Sequence, residues 1–321
     1  MTLCPDWAPP IALAAWIVGL RTIAAPDPAA LEESQALAER ALALDPLQAR
    51  AWVAKGYVCT ARRRYDQALE AFVRAIEVDP QDFLAPYFAA CSEMFTGRPQ
   101  DAIPRYRHSL ELEPRQGMGW LGLGSAFLGR GLLGEARHAF ERALALEGDP
   151  AAINRTAASA SYLAEVARLQ GDPARARRMA LEGVAAAEAS DLAYRDFFRG
   201  YGLGVLGRAA LDAGDHEAAR AAFGQLLAMM KGRPGVRGGG HLVVQALAGV
   251  ARASCSEALW QEALQLFSGQ GTYRFDPMFG CLDDKDLFEL ALAARAVGQP
   301  EAARDLLARA RAAGASQPFL E

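Results

Sequence analysis

Apolar residues along this chain recur at intervals of three and four, the spacing of one helix face, and nothing reads as a long alternating strand pattern. Two runs are clearest, one around Trp52–Arg62 and the next around Tyr65–Val78, closed by Asp79-Pro80. Proline disfavours helix in the residue before it and starts the following helix cleanly. Further pairs are predicted for 11–23 with 31–44 and for 241–253 with 256–267, and Leu287, Leu290, Ala291, Ala303, Leu307 and Ala310 mark a last pair. Lys231 to Gly240 reads as a flexible basic linker, and Ser268 to Asp283 as a longer aromatic, proline-containing connection. The expectation is an all-α protein.

The helical runs repeat. Pro46, Pro80 and Pro114 follow one another at 34 residues, as do Ala68, Ala102 and Ala136, each followed four residues later by Phe72, Tyr106 or Phe140. Trp52 and Trp120 lie six residues beyond a proline, and Gly56 and Gly124 four beyond each tryptophan. Gly56 and Ala68 have little or no side chain, so paired helices are expected to approach closely there, with Trp52 and Phe72 filling the space beside them. This register resembles the tetratricopeptide repeat, a helix-turn-helix unit that stacks into a solenoid. The resemblance implies an α-solenoid of about eight stacked antiparallel helix pairs over 1–321. The clearest repeats are 49–82, 83–116 and 117–150; degenerate ones are 11–46, 157–188, 193–231, 241–268 and 284–313. The 83–116 unit carries Pro104 inside its expected second helix, which predicts a late start or a bend.

A net charge of −4 gives no electrostatic footprint for a nucleic-acid backbone. The sharpest basic run, Arg62, Arg63 and Arg64, lies where a helix should end, and cations are favoured there by the helix dipole. Cys4, Cys59, Cys91, Cys255 and Cys281 are odd in number, scattered and without a CxxC pair, which fits a reducing cytosol. Ile11 to Leu20 is apolar but ten residues cannot cross a hydrocarbon core, and Met1 to Pro9 carries no Lys or Arg for a signal peptide. A cytoplasmic protein is expected. The bias of arginine over lysine, which occurs only at Lys55, Lys231 and Lys285, suggests a bacterial source.

Catalysis requires a nucleophile, a base and an orienting group that the fold brings together. His108, His138, His216 and His241 fall on separate units, and no HExxH or GxSxG occurs. The chain is expected to be no enzyme and to use no cofactor or metal. The glycine-rich stretch at 232–240 lacks a closing GK[ST], and Asp283, Asp284 and Asp286 lack EF-hand spacing, so a hinge and a helix cap are the expected roles.

Surface for partners remains. Arg50, Val53, Tyr57 and Thr60 share one helix face. The resemblance implies that such positions face a concave groove that holds extended peptides or helices. The matching residues are Leu84, Tyr87, Cys91 and Met94, then Met118, Leu121, Ser125 and Leu128. Chaperone-binding members of the family clamp a terminal carboxylate with lysine, arginine and asparagine at these places, and only Arg50 is of that kind here. A partner with an apolar or aromatic segment is therefore expected, against the alternative that the stripe is buried by the array itself or a neighbouring segment. The rival function is a self-assembly or regulatory docking module of a larger signalling protein such as a kinase, cyclase or transcription regulator. Ile11, Leu13, Trp16, Ile17, Val18 and Leu20 leave the first helix apolar on nearly every face, so homodimerisation or docking is expected there unless the preceding residues cover it.

Overall fold

The computed structural model describes residues 7–23, 27–153, 155–192, 194–231, 239–269 and 283–312. Helices dominate them: α1 (Ala8–Leu20) and α2 (Pro28–Leu44), α3 (Ala49–Ala61) and α4 (Tyr65–Val78), α5 (Leu84–Phe95) and α6 (Pro99–Leu112), α7 (Gly117–Gly129) and α8 (Leu133–Glu147). The second half continues with α9 (Ser159–Leu169) and α10 (Pro173–Ala189), α11 (Arg195–Asp212) and α12 (His216–Lys231), α13 (Gly239–Ser254) and α14 (Glu257–Gly269), α15 (Asp283–Ala296) and α16 (Pro300–Ala312). Each helix packs on its neighbours in chain order, and the first helices of most successive pairs also touch, as α1 does α3 and α13 does α15. The fold is an α-solenoid. No strand occurs among the described residues; a parallel bridge between Gln116 and Ile153 ties the turn before α7 to the loop before α9. Most of the 231–240 linker and of the 268–283 connection, together with Cys4 and Cys281, lie outside the described residues.

Within three of the pairs, an aromatic ring on the second helix closes over a glycine on the first. A Cβ at Gly56 would sit 2.6 Å from the Phe72 ring, one at Gly207 2.6 Å from Phe223, and one at Gly124 inside the van der Waals surface of Phe140. In all three the ring follows the glycine by 16 residues. The helices thus pack at a separation no side chain at the glycine would permit. Phe72, Phe140 and Phe223 are all buried.

The tryptophans do another job than filling that space. Trp52 Nε1 donates to the Pro46 carbonyl at 2.9 Å, and Trp120 Nε1 to the Pro114 carbonyl at 2.9 Å. Lys55 lies 5.1 Å from the Trp52 ring centre and Arg142 lies 5.3 Å from that of Trp120, so each half-buried indole ties its helix to the preceding turn beneath a cation. Trp52→Phe, which keeps the ring and removes the donor, should cost about 0.5–1.5 kcal/mol in urea unfolding, and Trp120→Phe the same. A zero effect at both would mean that the indole N–H is equally well served by water.

The turns between paired helices pass through left-handed backbone. Gly97 and Gly131 adopt φ of 70° and 71°, while Arg63 (φ 62°) and Cys255 (φ 50°) take that conformation with a side chain. Pro104 corrects a sequence expectation. Helix α6 starts at Pro99 and runs through Pro104 to Leu112. As the sixth residue of the helix it removes one amide donor, the one that would reach the Gln100 carbonyl, and the helix does not start late because of it.

Candidate partner-binding face

The face shared by the first helices is joined by different chemistry in its two halves. In the first half the joints are aromatic. Trp16 of α1 meets Tyr57 edge-on at 5.8 Å and Phe88 at 5.4 Å; Phe88 stacks on Phe72 at 5.7 Å, and Tyr87 packs against Tyr106 at 6.0 Å. Polar ends find partners inside this layer: the Tyr57 hydroxyl lies 3.1 Å from Thr22 Oγ1, and the Tyr106 hydroxyl 3.4 Å from Cys91 Sγ. Burial pushes the Tyr106 hydroxyl well above the usual phenol range.

This arrangement decides what the eleven expected contact residues present. Val53, Tyr57, Tyr87, Cys91, Met94, Met118, Leu121 and Leu128 are buried. Arg50, Leu84 and Ser125 keep accessible surface. The sequence expectation of an open apolar stripe is thereby corrected. Tyr57 and Tyr87 belong to the aromatic layer, Cys91 abuts the Tyr106 hydroxyl, and all eight buried side chains fill the core instead of lining free surface. Among the three accessible residues, Arg50 has one guanidinium nitrogen 3.5 Å from Asp82 and another, Nη1, buried without a hydrogen-bond partner. Ser125 Oγ donates to the Leu121 carbonyl at 2.9 Å.

In the second half the joints are ionic. Arg168 holds both oxygens of Glu165 at 3.0 Å through Nε and Nη2, and Asp212 at 2.8 Å through Nη1. Arg208 of α11 reaches Glu165 on α9 at 3.4 Å, Gln245 on α13 at 3.3 Å and Glu289 on α15 at 3.8 Å. Gln245 donates to Asp286 at 2.9 Å, His241 Nδ1 meets the other Asp286 oxygen, and Arg252 closes on Glu289 at 3.2 Å. Glu165, Arg208, His241, Asp286 and Glu289 are all buried. Burial pulls the Arg168 and Arg208 guanidiniums down, but the carboxylates of Glu165 and Asp212 around the first, and of Glu165 and Glu289 around the second, outweigh it and hold both above the usual value. Four successive first helices are thus bolted together through arginine–carboxylate contacts, with Gln245 and His241 continuing the chain to Asp286.

Sequence reasoning missed this network, and it corrects the capping role expected of Asp286, whose carboxylate faces His241 and Gln245. The side chains of Asp283 and Asp284 lie outside the described residues. Of the histidines, His138 and His216 are exposed, His108 is half-buried and His241 is buried. Among the described residues no group of three or more His, Cys, Asp or Glu is placed to hold a metal ion. No helix of the described residues is long and apolar enough to cross a membrane.

A tetratricopeptide-repeat model matches residues 49–82, and a second one matches 89–153 and 205–237. With the solenoid of helix pairs, these matches make the chain a tetratricopeptide-repeat protein. Arrays of this class are generally non-catalytic scaffolds that bind protein or peptide partners. The chain is similar to the protein CTR9 homolog of Arabidopsis thaliana, 31% identical over 111 residues, or 34% of this chain and 10% of that one. It is also similar to the protein bimA of Emericella nidulans, 32% identical over 108 residues, 33% of this chain and 13% of that one. These alignments span only about an eighth or less of the length of the curated relatives. In fold the chain resembles the crystal structure of the APC/C hetero-tetramer Cut9-Hcn1, at 16% identity and a TM-score of 0.58, covering 94% of this chain and 52% of that one.

Proposed function

We propose that this protein is a non-catalytic scaffold that holds an apolar or aromatic segment of a partner protein along the concave face of its first helices. One observation carries the reading: Arg50 and Leu84 occupy the same position of adjacent 34-residue units, and both keep accessible surface at the margin of the aromatic layer. Ser125 extends that margin into the next unit. The unpaired nitrogen of Arg50 offers a buried donor to a backbone carbonyl or carboxylate of the partner, and an unmade bond at such a site costs about 1–3 kcal/mol. The eight buried residues Val53, Tyr57, Tyr87, Cys91, Met94, Met118, Leu121 and Leu128 support this margin from beneath. The scaffold works in the cytosol, as the scattered cysteines suggest, and the arginine-over-lysine bias suggests a bacterial one.

Crosslinking and mass spectrometry on the full chain in its source cells would identify the segment bound. Arg50→Glu with Leu84→Glu is then expected to weaken it about tenfold, or 1.4 kcal/mol, with helical circular dichroism unchanged. Tyr87→Ala and Leu121→Ala are not equivalent tests, because they remove buried packing. Unaltered affinity in the charged double variant would move the site away from this margin.

A second reading, a self-assembly or docking module of a larger signalling protein, is favoured by one side of α1. Leu13 and Ile17 of α1 are about half exposed.

A further inference from the structure

We propose that a cleft between α3 and α4 receives an aromatic side chain of a partner protein that is flanked by acidic residues. The cleft measures about 560 Å³, within the range of ligand-sized sites. Trp52, Lys55 and Cys59 line it from α3, and Glu70, Ala71 and Arg74 from α4. The three on α3 stand two positions after Arg50, Val53 and Tyr57 in turn. Two residues turn a helix by about 200°, so the cleft opens on the side of α3 away from the face described above. Binding there is independent of the margin at Arg50 and Leu84.

The 34-residue register explains why the cleft is open. The positions of Cys59 and Ala71 hold Glu93 and Arg105 in the next unit, and Phe127 and Ala139 in the one after. In the first of these the place is taken by an ion pair, Arg105 Nε to Glu93 Oε1 at 2.7 Å. In the second it is taken by the buried Phe127 ring, with the Arg107 guanidinium 5.6 Å from its centre. Lys55 likewise stands where the third unit buries Leu123. Cys59 and Ala71 are both small, so in the 49–82 unit the same place between the helices stays unfilled. The other two units put a carboxylate against a cation there, or an aromatic ring beneath one, and that is the chemistry of the missing occupant.

Charge points the same way. The Lys55 ammonium lies 5.1 Å from the Trp52 ring centre and makes no ion pair among the described residues. Burial pushes the Cys59 thiol up, while Lys55, Arg64 and Arg62 pull it down with Glu70 alone opposing them, so cations outnumber carboxylates around it. Arg74 is already paired with Glu77 at 2.7 Å. A ring seated beside Cys59 would pack between Trp52 and Ala71, and an acidic residue next to it in sequence would meet Lys55.

The probe is the peptide acetyl-Asp-Phe-Asp-amide, added at millimolar concentration to the reduced full chain during labelling with iodoacetamide. Mass spectrometry reads the rate at each cysteine. The peptide is expected to slow labelling of Cys59 severalfold and to leave that of the exposed Cys255 unchanged. Acetyl-Asp-Ala-Asp-amide, which keeps the charge and lacks the ring, and acetyl-Lys-Phe-Lys-amide, which reverses the charge, should both fail to protect. Cys59→Phe gives this unit the side chain of the third one. It is expected to keep the helical circular dichroism, to hold or raise the melting temperature, and to abolish the saturation-transfer NMR signal of the peptide ring. Lys55→Glu, at a half-buried position, should lose that signal with the fold intact, whereas the Arg50→Glu, Leu84→Glu variant should retain it. Unchanged labelling of Cys59, equal protection by the alanine peptide, or a ring signal undiminished in Cys59→Phe or Lys55→Glu overturns the proposal.

Discussion

Phe140→Ala is expected to cost about 3–5 kcal/mol, among the largest effects of any single substitution in this chain. The ring is fully buried on α8, closed over Gly124 of α7, and tilted against Tyr162 of the next pair at 5.1 Å. It therefore holds its own hairpin together and joins that hairpin to its successor. Removing it leaves a cavity in both contacts at once. Gly124→Ala fails for the opposite reason: the new methyl would lie inside the ring, an overpacking that costs about 1–3 kcal/mol. The combined variant is the sharper test. Without the ring there is nothing for the methyl to strike, so the two losses should add to less than their sum. Strict additivity in urea unfolding would show that Gly124 and Phe140 do not meet.

The second large effect is electrostatic. Arg208→Ala should cost about 3–5 kcal/mol, because it removes one partner from buried carboxylates and leaves them in a low-dielectric interior. Arg168 and Arg252 each keep hold of one carboxylate, so the loss falls on the joints between α9, α11, α13 and α15. Arg208→Met combined with Glu165→Gln and Glu289→Gln is expected to recover most of the stability, since no charge is then stranded. High salt should change little, because buried pairs are weakly screened. Failure of the neutral triple variant to recover would mean that shape, not charge, holds the four helices in line.

The parts of the fold that rest on local backbone chemistry were legible beforehand. Proline and glycine at 34-residue spacing act through the chain itself, so the helix boundaries around 49–150 follow from sequence. What the side chains face depends on elements far apart in sequence, and there the reading failed. Tyr57 shares a helix face with Arg50 seven residues before it and Tyr87 with Leu84 three before it, yet contacts such as Trp16 against Tyr57 and Tyr106 against Tyr87 place them in an interior. The ionic network had a usable signal. Ala158, Ser161, Glu165 and Arg168 repeat the spacing of Arg50, Val53, Tyr57 and Thr60, and Arg208 stands seven residues after Tyr201 just as Tyr57 does after Arg50. The loop from Asp149 to Ala158 shifts the register at that point, so the equivalence is hidden unless the stripe is followed in place of the prolines.

The left-handed turns have a consequence for where this array gives way. Glycine enters that conformation freely, whereas a residue with a Cβ pays roughly 1–2 kcal/mol there. Arg63, between α3 and α4, and Cys255, between α13 and α14, hold it with side chains, so local strain sits near either end of the described array while Gly97 and Gly131 are relaxed. In a stack where each unit leans only on its neighbours, such strain stays where it is placed. Arg63→Gly and Cys255→Gly are therefore the turn substitutions expected to hold or raise stability in urea unfolding, where a change from glycine at Gly97 or Gly131 would lower it.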